Sequence, residues 1–155
     1  MAETPRVLFV CLGNICRSPL AEGAFRQAAA DAGLAAEADS AGTADYHVGK
    51  LPDERSIDVA RENGVDITGQ RARQLADADY TQFTHIFALD AENLADIRAR
   101  APENATAQIA LLMDAIEGRE GEPVADPYYG GPEGFRETWR DVTAAAEALI
   151  ARFSR

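Results

Sequence analysis

Cysteine, histidine and tryptophan are scarce in this chain, at two, two and one among 155 residues. The cysteines stand five apart, at Cys11 and Cys16, with the histidines far off at His47 and His85. That set lacks the paired spacings of a structural zinc site, so no metal or other cofactor is expected. Two cysteines without a secretory leader also argue against a disulfide framework. No apolar run approaches the ~20 residues a membrane span needs, which makes a cytoplasmic location the expectation. Positive charge is in the minority, 15 Lys and Arg against 26 Asp and Glu, for a net charge of −11. Nucleic acid and anionic membranes are therefore excluded as expected partners. Internal repeats and low-complexity tracts are missing as well. Residues 1–155 read as a single domain, with residues 1–5 as a loose N-terminal tail.

What is present alternates between two periods. Residues 6–10 form a continuous apolar run, the signature of a strand buried on both faces of a parallel sheet. From Ser18 to Ala32, residues Leu20, Ala24, Phe25 and Ala28 share one helical face, and Gly33 follows as a C-cap. Weaker strand character over 36–41 leads through a loop to a helix over 53–63, which closes at Gly64. Residues 84–89 supply a third strand, with His85 a satisfied structural side chain. Asp90 caps a helix that ends before Pro102, and residues 107–113 give the fourth strand. Phe135, Trp139, Val142, Ala146, Leu149 and Phe153 recur at three- and four-residue steps along a last helix over 133–152. Strands alternating with helices predict an α/β fold, a doubly wound four-stranded parallel sheet flanked by helices.

The chemistry is concentrated after the first strand, in Cys11-Leu12-Gly13-Asn14-Ile15-Cys16-Arg17-Ser18-Pro19. A strand–loop–helix junction turns successive backbone N–H groups inward and adds the positive end of a helix dipole. Such a concavity suits a phosphate, and its field favours thiolate, the nucleophilic form of a cysteine. Arg17 could grip two phosphate oxygens with its planar fork. A cysteine and an arginine at this offset can also be a small buried side chain beside a surface charge. Three features favour the anion cradle: Gly13 and Asn14, which tolerate left-handed backbone, Ser18-Pro19, read as N-cap and first helical residue, and the preceding apolar strand, at whose carboxyl end ligands bind in open α/β sheets. The net negative charge does not oppose it, because carboxylates beyond a Debye length of about 8 Å are screened.

This loop resembles the phosphate loop of the low-molecular-weight protein tyrosine phosphatases, and the resemblance runs from Arg6 to the last helix. It implies a phosphate loop after the first strand, with Cys11 as nucleophile and Arg17 as anion clamp. Leu12, Gly13, Asn14, Ile15, Cys16 and Ser18 would complete the substrate-binding loop, with Asn14 locking its conformation and Ser18 donating to the sulfur. Tyr46, alone an ordinary loop tyrosine, takes the place of an aromatic cleft wall. Ser40 matches a serine that helps to order the loop. Gln70, before Arg71-Ala72-Arg73, stands where the family usually has histidine, a departure that touches the polar network beneath the loop. Cys16 is either loop packing or, as in some relatives, a partner for Cys11 in a reversible disulfide.

A leaving phenolate is best protonated as it departs, and a carboxylic acid on a second loop can supply that proton. In Val124-Ala125-Asp126-Pro127-Tyr128-Tyr129 an isolated Asp-Pro would be a turn former. Paired with the Cys11 loop it resembles the family's general-acid loop, with Asp126 as acid and Tyr128 and Tyr129 lining the cleft. The implied activity is phosphotyrosine hydrolysis through a cysteinyl-phosphate. The implied partners are phosphotyrosine-containing proteins, a bacterial tyrosine kinase among them, and the family default is a monomer. An arsenate reductase would need redox cysteines after Cys16, and none exists. A phosphate-sensing module would have no use for Asp126. A protein-arginine phosphatase resembles a loop with threonine where this chain has Ile15.

Overall fold

The computed structural model describes residues 4–155. The loose tail expected over residues 1–5 falls largely outside them, and Pro5 is already tied down, its carbonyl accepting from Glu37 N at 2.9 Å. Four strands, β1 (Arg6–Cys11), β2 (Glu37–Gly42), β3 (His85–Ala88) and β4 (Gln108–Leu111), form one sheet in the order β2-β1-β3-β4. Every pairing is parallel, with Phe9 opposite both Ser40 and Phe87. The helices are α1 (Arg17–Ala32), α2 (Glu54–Glu62), α3 (Asp79–Gln82), α4 (Ala91–Arg100) and α5 (Pro132–Phe153). Of these, the single turn α3 and a 3-10 turn over Leu112–Ala115 have no counterpart in the sequence reading. The latter takes residues assigned there to the fourth strand.

The strand β1 is apolar throughout because both its faces are covered. Val7, Phe9 and Cys11 pack in one cluster with Leu20 and Phe25 of α1 and Phe135 and Leu149 of α5. Leu8 and Val10, pointing the other way, pack with Ile86, Tyr80 and Ile97. Period-two alternation thus feeds two cores from one strand. The chain runs from β1 to β2 on one side and reaches β3 on the other. The end of β1 is therefore the point where the winding reverses, and crevices form at such points outside the carboxyl ends of strands. Cys11 is the last residue of β1.

Helix ends follow local chemistry. Gly33 closes α1 with φ +65°, and Leu34 N donates to Ala29 O at 2.9 Å. Asp53 and Asp90 cap α2 and α4 through Arg55 N and Asn93 N. The start of α1 differs from expectation: its cap is Cys16, with no side-chain bond, and Ser18 and Pro19 lie inside the first turn. Ser18 is committed elsewhere, to Cys11. His85 is structural, bonded to Thr84 Oγ1 at 2.8 Å and stacked on Phe87.

Within α1, Glu22 is 3% exposed, accepts from Ser40 Oγ at 2.8 Å and pairs with Arg26 Nε at 3.0 Å. Ser40 therefore serves the sheet–helix seam and not the phosphate loop, a correction to the role its motif implied. Burial raises the Glu22 carboxyl above its ordinary range despite Ser40 and Arg26. The native chain then binds a proton that the unfolded chain has already released. This contribution is favourable below the ordinary Glu value and is lost as pH rises through the raised native one. Glu22→Gln should remove it, so the melting temperature of wild type relative to the variant should fall with rising pH over that window. A difference independent of pH would refute the assignment.

Candidate active site

The loop between β1 and α1 is held from outside by its own carbonyls. Thr43 N donates to Cys11 O and Ala44 N to Leu12 O, both at 2.9 Å. Asp53 N donates to Ile15 O at 2.7 Å, and Ser56 Oγ to Cys16 O at 3.3 Å. In a trans peptide the N–H points opposite to the C=O. Drawing these four carbonyls outward therefore turns the N–H groups of Leu12, Gly13, Cys16 and Arg17 toward the hollow of the loop. The start of α1 adds N–H groups that have no helical acceptor. The result is a nest for an oxyanion at the end of β1.

Asn14 is the one non-glycine residue with positive φ, at 59°, among the described residues. Its Nδ2 donates to Ser18 Oγ at 2.8 Å, and its Oδ1 accepts from Arg73 N at 3.0 Å. The two bonds hold the αL turn from both sides and so offset its backbone cost. Gly13 does not use a left-handed conformation. Its requirement is space, because a Cβ there would stand 3.0 Å from His47 Cδ2. A Cβ on Gly42 would meet Leu12 O at 2.7 Å, which explains a glycine at the end of β2.

Cys11 is 3% exposed, and its Sγ lies 3.0 Å from Ser18 Oγ. Because Asn14 Nδ2 already donates to that hydroxyl, the Ser18 proton is directed to the sulfur, where it supports a thiolate. Cys16, also buried and unbridged, is of another kind. Burial, then the negative charges of Asp53, Cys11 and Asp126, push its thiol up to about 12, with Arg55 opposing. Burial thus disfavours its thiolate, and it stands at the N-cap position of α1.

The guanidinium of Arg17, 3% exposed, is aimed by two contacts. Nη1 donates to Asp90 Oδ2 at 2.7 Å and to Val124 O at 3.0 Å. Burial works against its charge, but Cys11, Asp90 and Asp126 outweigh it and raise its pKa further. Asp126 Oδ2 lies 3.9 Å from Arg17 Nη2, while its Oδ1 accepts from Tyr128 N at 3.1 Å.

These groups share a cleft of about 310 Å³. Its floor is Cys11, Leu12, Gly13, Ile15, Cys16 and Arg17, and its walls are Tyr46, His47, Tyr128, Tyr129 and the Asp126 carboxylate. Asn14 and Ser18, expected among the substrate-binding residues, do not line it; they brace the loop from behind. Tyr46 and Tyr129 are largely exposed, at 69% and 96%, and form the rim. Three supporting residues escaped the sequence reading: His47 as a wall, Asp90 as the partner of Arg17, and Gly42. Asp90 was recognised only as a cap, and no local pattern joins it to a residue 73 positions away. A larger polar hollow of about 500 Å³ between Glu22 and Arg71 contains no nucleophile.

Gln70 resolves the departure noted in the sequence. Its Nε2 donates to Pro19 O at 3.1 Å, while the acceptor role of Asn14 is met by the Arg73 backbone. Arg73 in turn is anchored by Asp39 and Asp79, at 3.1 and 3.0 Å. Removing the brace is expected to disorder the nest. Asn14→Ala should lower kcat about a hundredfold, as misplacement near 1 Å can do, with Cys11 still titratable by a thiol reagent in the folded protein.

A doubly wound α/β sheet with a cysteine and a buried arginine in an anion nest at its switch point defines a class, the cysteine-based phosphoryl-transfer folds. The comparisons with known proteins make this specific. The model of the low molecular weight phosphotyrosine protein phosphatase family matches residues 6–155, and the chain belongs to that family. The low molecular weight protein-tyrosine-phosphatase YfkJ of Bacillus subtilis is 41% identical over 151 residues, covering 96% of each chain. A protein tyrosine phosphatase from Entamoeba histolytica, crystallised with Hepes in its active site, superposes with a TM-score of 0.91 at 35% identity, over 97% of each chain. An arginine phosphatase of Drosophila superposes with a TM-score of 0.90 at 30% identity, over 96% of this chain and 98% of its own.

Proposed function

We propose that this enzyme hydrolyses phosphotyrosine in proteins through a cysteinyl-phosphate. The observation that carries the reading is that Cys11, Arg17 and Asp126 share one cleft whose walls include Tyr46, Tyr128 and Tyr129. The phosphate enters the nest with its equatorial oxygens on the loop N–H groups and Arg17. The Cys11 thiolate attacks phosphorus in line, forming the S–P bond as the P–O bond to the phenol breaks. Asp126 gives its proton to the departing phenolate oxygen. Water then attacks phosphorus and loses a proton to Asp126, the S–P bond breaks, and inorganic phosphate leaves a regenerated thiolate. The Ser18 hydroxyl steadies sulfur at the start and as leaving group. No metal or organic cofactor enters any step.

The tyrosine walls favour an aromatic leaving group, since rings pack on rings over offset or edge-on faces. Apolar Ile15 on the floor offers no hydrogen bond to a guanidino group, which favours phosphotyrosine over phosphoarginine. The substrate is a phosphotyrosine-bearing protein, a bacterial tyrosine kinase being the candidate carried over from the family. The enzyme acts as a monomer, and its two unbridged thiols suit the reducing cytoplasm. The test is phosphate release from phosphotyrosine, phosphoserine and phosphoarginine peptides of one sequence. The first should be the preferred substrate, and acid-quenched enzyme should carry one phosphoryl group on the Cys11 peptide. Preference for phosphoarginine would refute the substrate assignment.

A further inference from the structure

The second loop carries Asp126 on an exposed segment, yet proton transfer needs its carboxyl held to within a fraction of an ångström. One flank of that segment is fixed near the nest. Val124 N donates to Leu89 O at 2.7 Å, and Val124 O accepts from Arg17. The other flank, from Pro127 to Gly131, is met by a residue of α2 that the mechanism does not use, Arg55.

The Arg55 guanidinium is gripped on one side by Asp53, with Nε to Oδ1 at 3.0 Å and Nη2 to Oδ2 at 3.1 Å. Such a two-pronged pair fixes the plane as well as the position of the group. Its remaining nitrogen, Nη1, donates to Gly130 O at 3.3 Å. The carbon of the group lies 5.5 Å from the centre of the Tyr128 ring and 4.5 Å from that of Phe135, in range for cation–π attraction. Asp53 is in turn bonded through its backbone N to Ile15 O of the phosphate loop at 2.7 Å. A continuous path therefore runs from the floor of the nest through Asp53 and Arg55 to Tyr128, whose N–H holds Asp126 Oδ1.

We infer that Arg55 is a positioning residue for proton transfer, clamping the Asp126 loop to the phosphate loop so that the carboxyl meets the leaving oxygen. Arg55 lies outside the cleft lining and touches no reacting atom, so it acts through Asp126 alone. The inference rests on the reading of Asp126 as the acid. Lysine cannot replace the clamp, because a single ammonium has neither the fork for Asp53 nor the plane for the two rings.

The experiment compares wild type, Arg55→Ala, Arg55→Lys, Asp126→Ala and the Arg55→Ala/Asp126→Ala double variant on phenyl phosphate and p-nitrophenyl phosphate. With Arg55→Ala, kcat/KM on phenyl phosphate, which reports the steps up to loss of the phenol, should fall about tenfold, and the more acidic p-nitrophenol should leave with a much smaller loss in kcat/KM. Arg55→Lys should share the selective loss while keeping the charge. In the Asp126→Ala background, Arg55→Ala should cost nothing further on either substrate. Equal losses on both substrates, or a further fall in the double variant, would overturn the clamp and leave a merely structural arginine. Asp126→Ala at wild-type rates on both substrates would overturn the acid reading and the clamp together.

Discussion

Cys11→Ser is expected to abolish hydrolysis of p-nitrophenyl phosphate, with a fall in kcat of at least about 10⁴-fold, the scale seen when an enzyme loses its nucleophile. The loss follows from what surrounds the sulfur. Its one side-chain partner is Ser18 Oγ at 3.0 Å, a donor directed at an anion. Among the described residues no carboxylate or imidazole is hydrogen-bonded at position 11, where it could take the proton of an alcohol. A serine hydroxyl there would be neutral, a poor attacker, and its alkoxide a poor leaving group in the second step. Binding should survive, because the N–H groups of the loop and Arg17 are untouched. The measurement is therefore double: no burst or turnover of p-nitrophenol, together with retained competition by inorganic phosphate for an aryl phosphonate probe. Turnover within tenfold of wild type would refute nucleophilic catalysis by Cys11.

The elements that place this cysteine were legible because each has a local cause. The apolar run at β1, the shared face of α1, the αL glycine at position 33 and the aspartate cap at 90 are all written within a few residues. Ser18 shows the limit of that logic. Its side chain matches an N-cap in sequence, but it lies in the first turn of α1 because the Cys11 sulfur and Asn14 claim its hydroxyl. A local propensity of about 1 kcal/mol yields to a buried polar network, where an unpaired group would cost more. The contacts that were not legible join distant positions. Arg17 to Asp90, Arg73 N to Asn14 and the close approach of Leu12 O to Gly42 exist only once β1, β2 and β3 are side by side. Asp90 is instructive, since the same carboxylate caps α4 through Oδ1 and aims Arg17 through Oδ2. The sequence motif reveals the first role and hides the second. Gln70 likewise read as a departure in the network beneath the loop, whereas Arg73 donates to Asn14 Oδ1 from its backbone, which no side-chain pattern records.

Asp126→Ala should cut kcat/KM on phenyl phosphate and phosphotyrosine by roughly 10²- to 10⁴-fold, the range of general acid catalysis. The cut should shrink as the leaving phenol becomes more acidic. The geometry supports this residue as the acid of the proposed reaction. Asp126 Oδ1 is occupied by Tyr128 N, which leaves Oδ2 facing the cleft 3.9 Å from Arg17 Nη2. Oδ2 thus stands on the side of the cleft from which the ester oxygen of the proposed substrate would leave. Asp126→Asn is the sharper variant, because it keeps an acceptor for Tyr128 N and the shape of the loop but has no acidic proton. Both variants should show a steeper dependence of log kcat/KM on leaving-group pKa than wild type. Equal losses across a series of substituted phenyl phosphates would show that Asp126 shapes the cleft and does not protonate the leaving group.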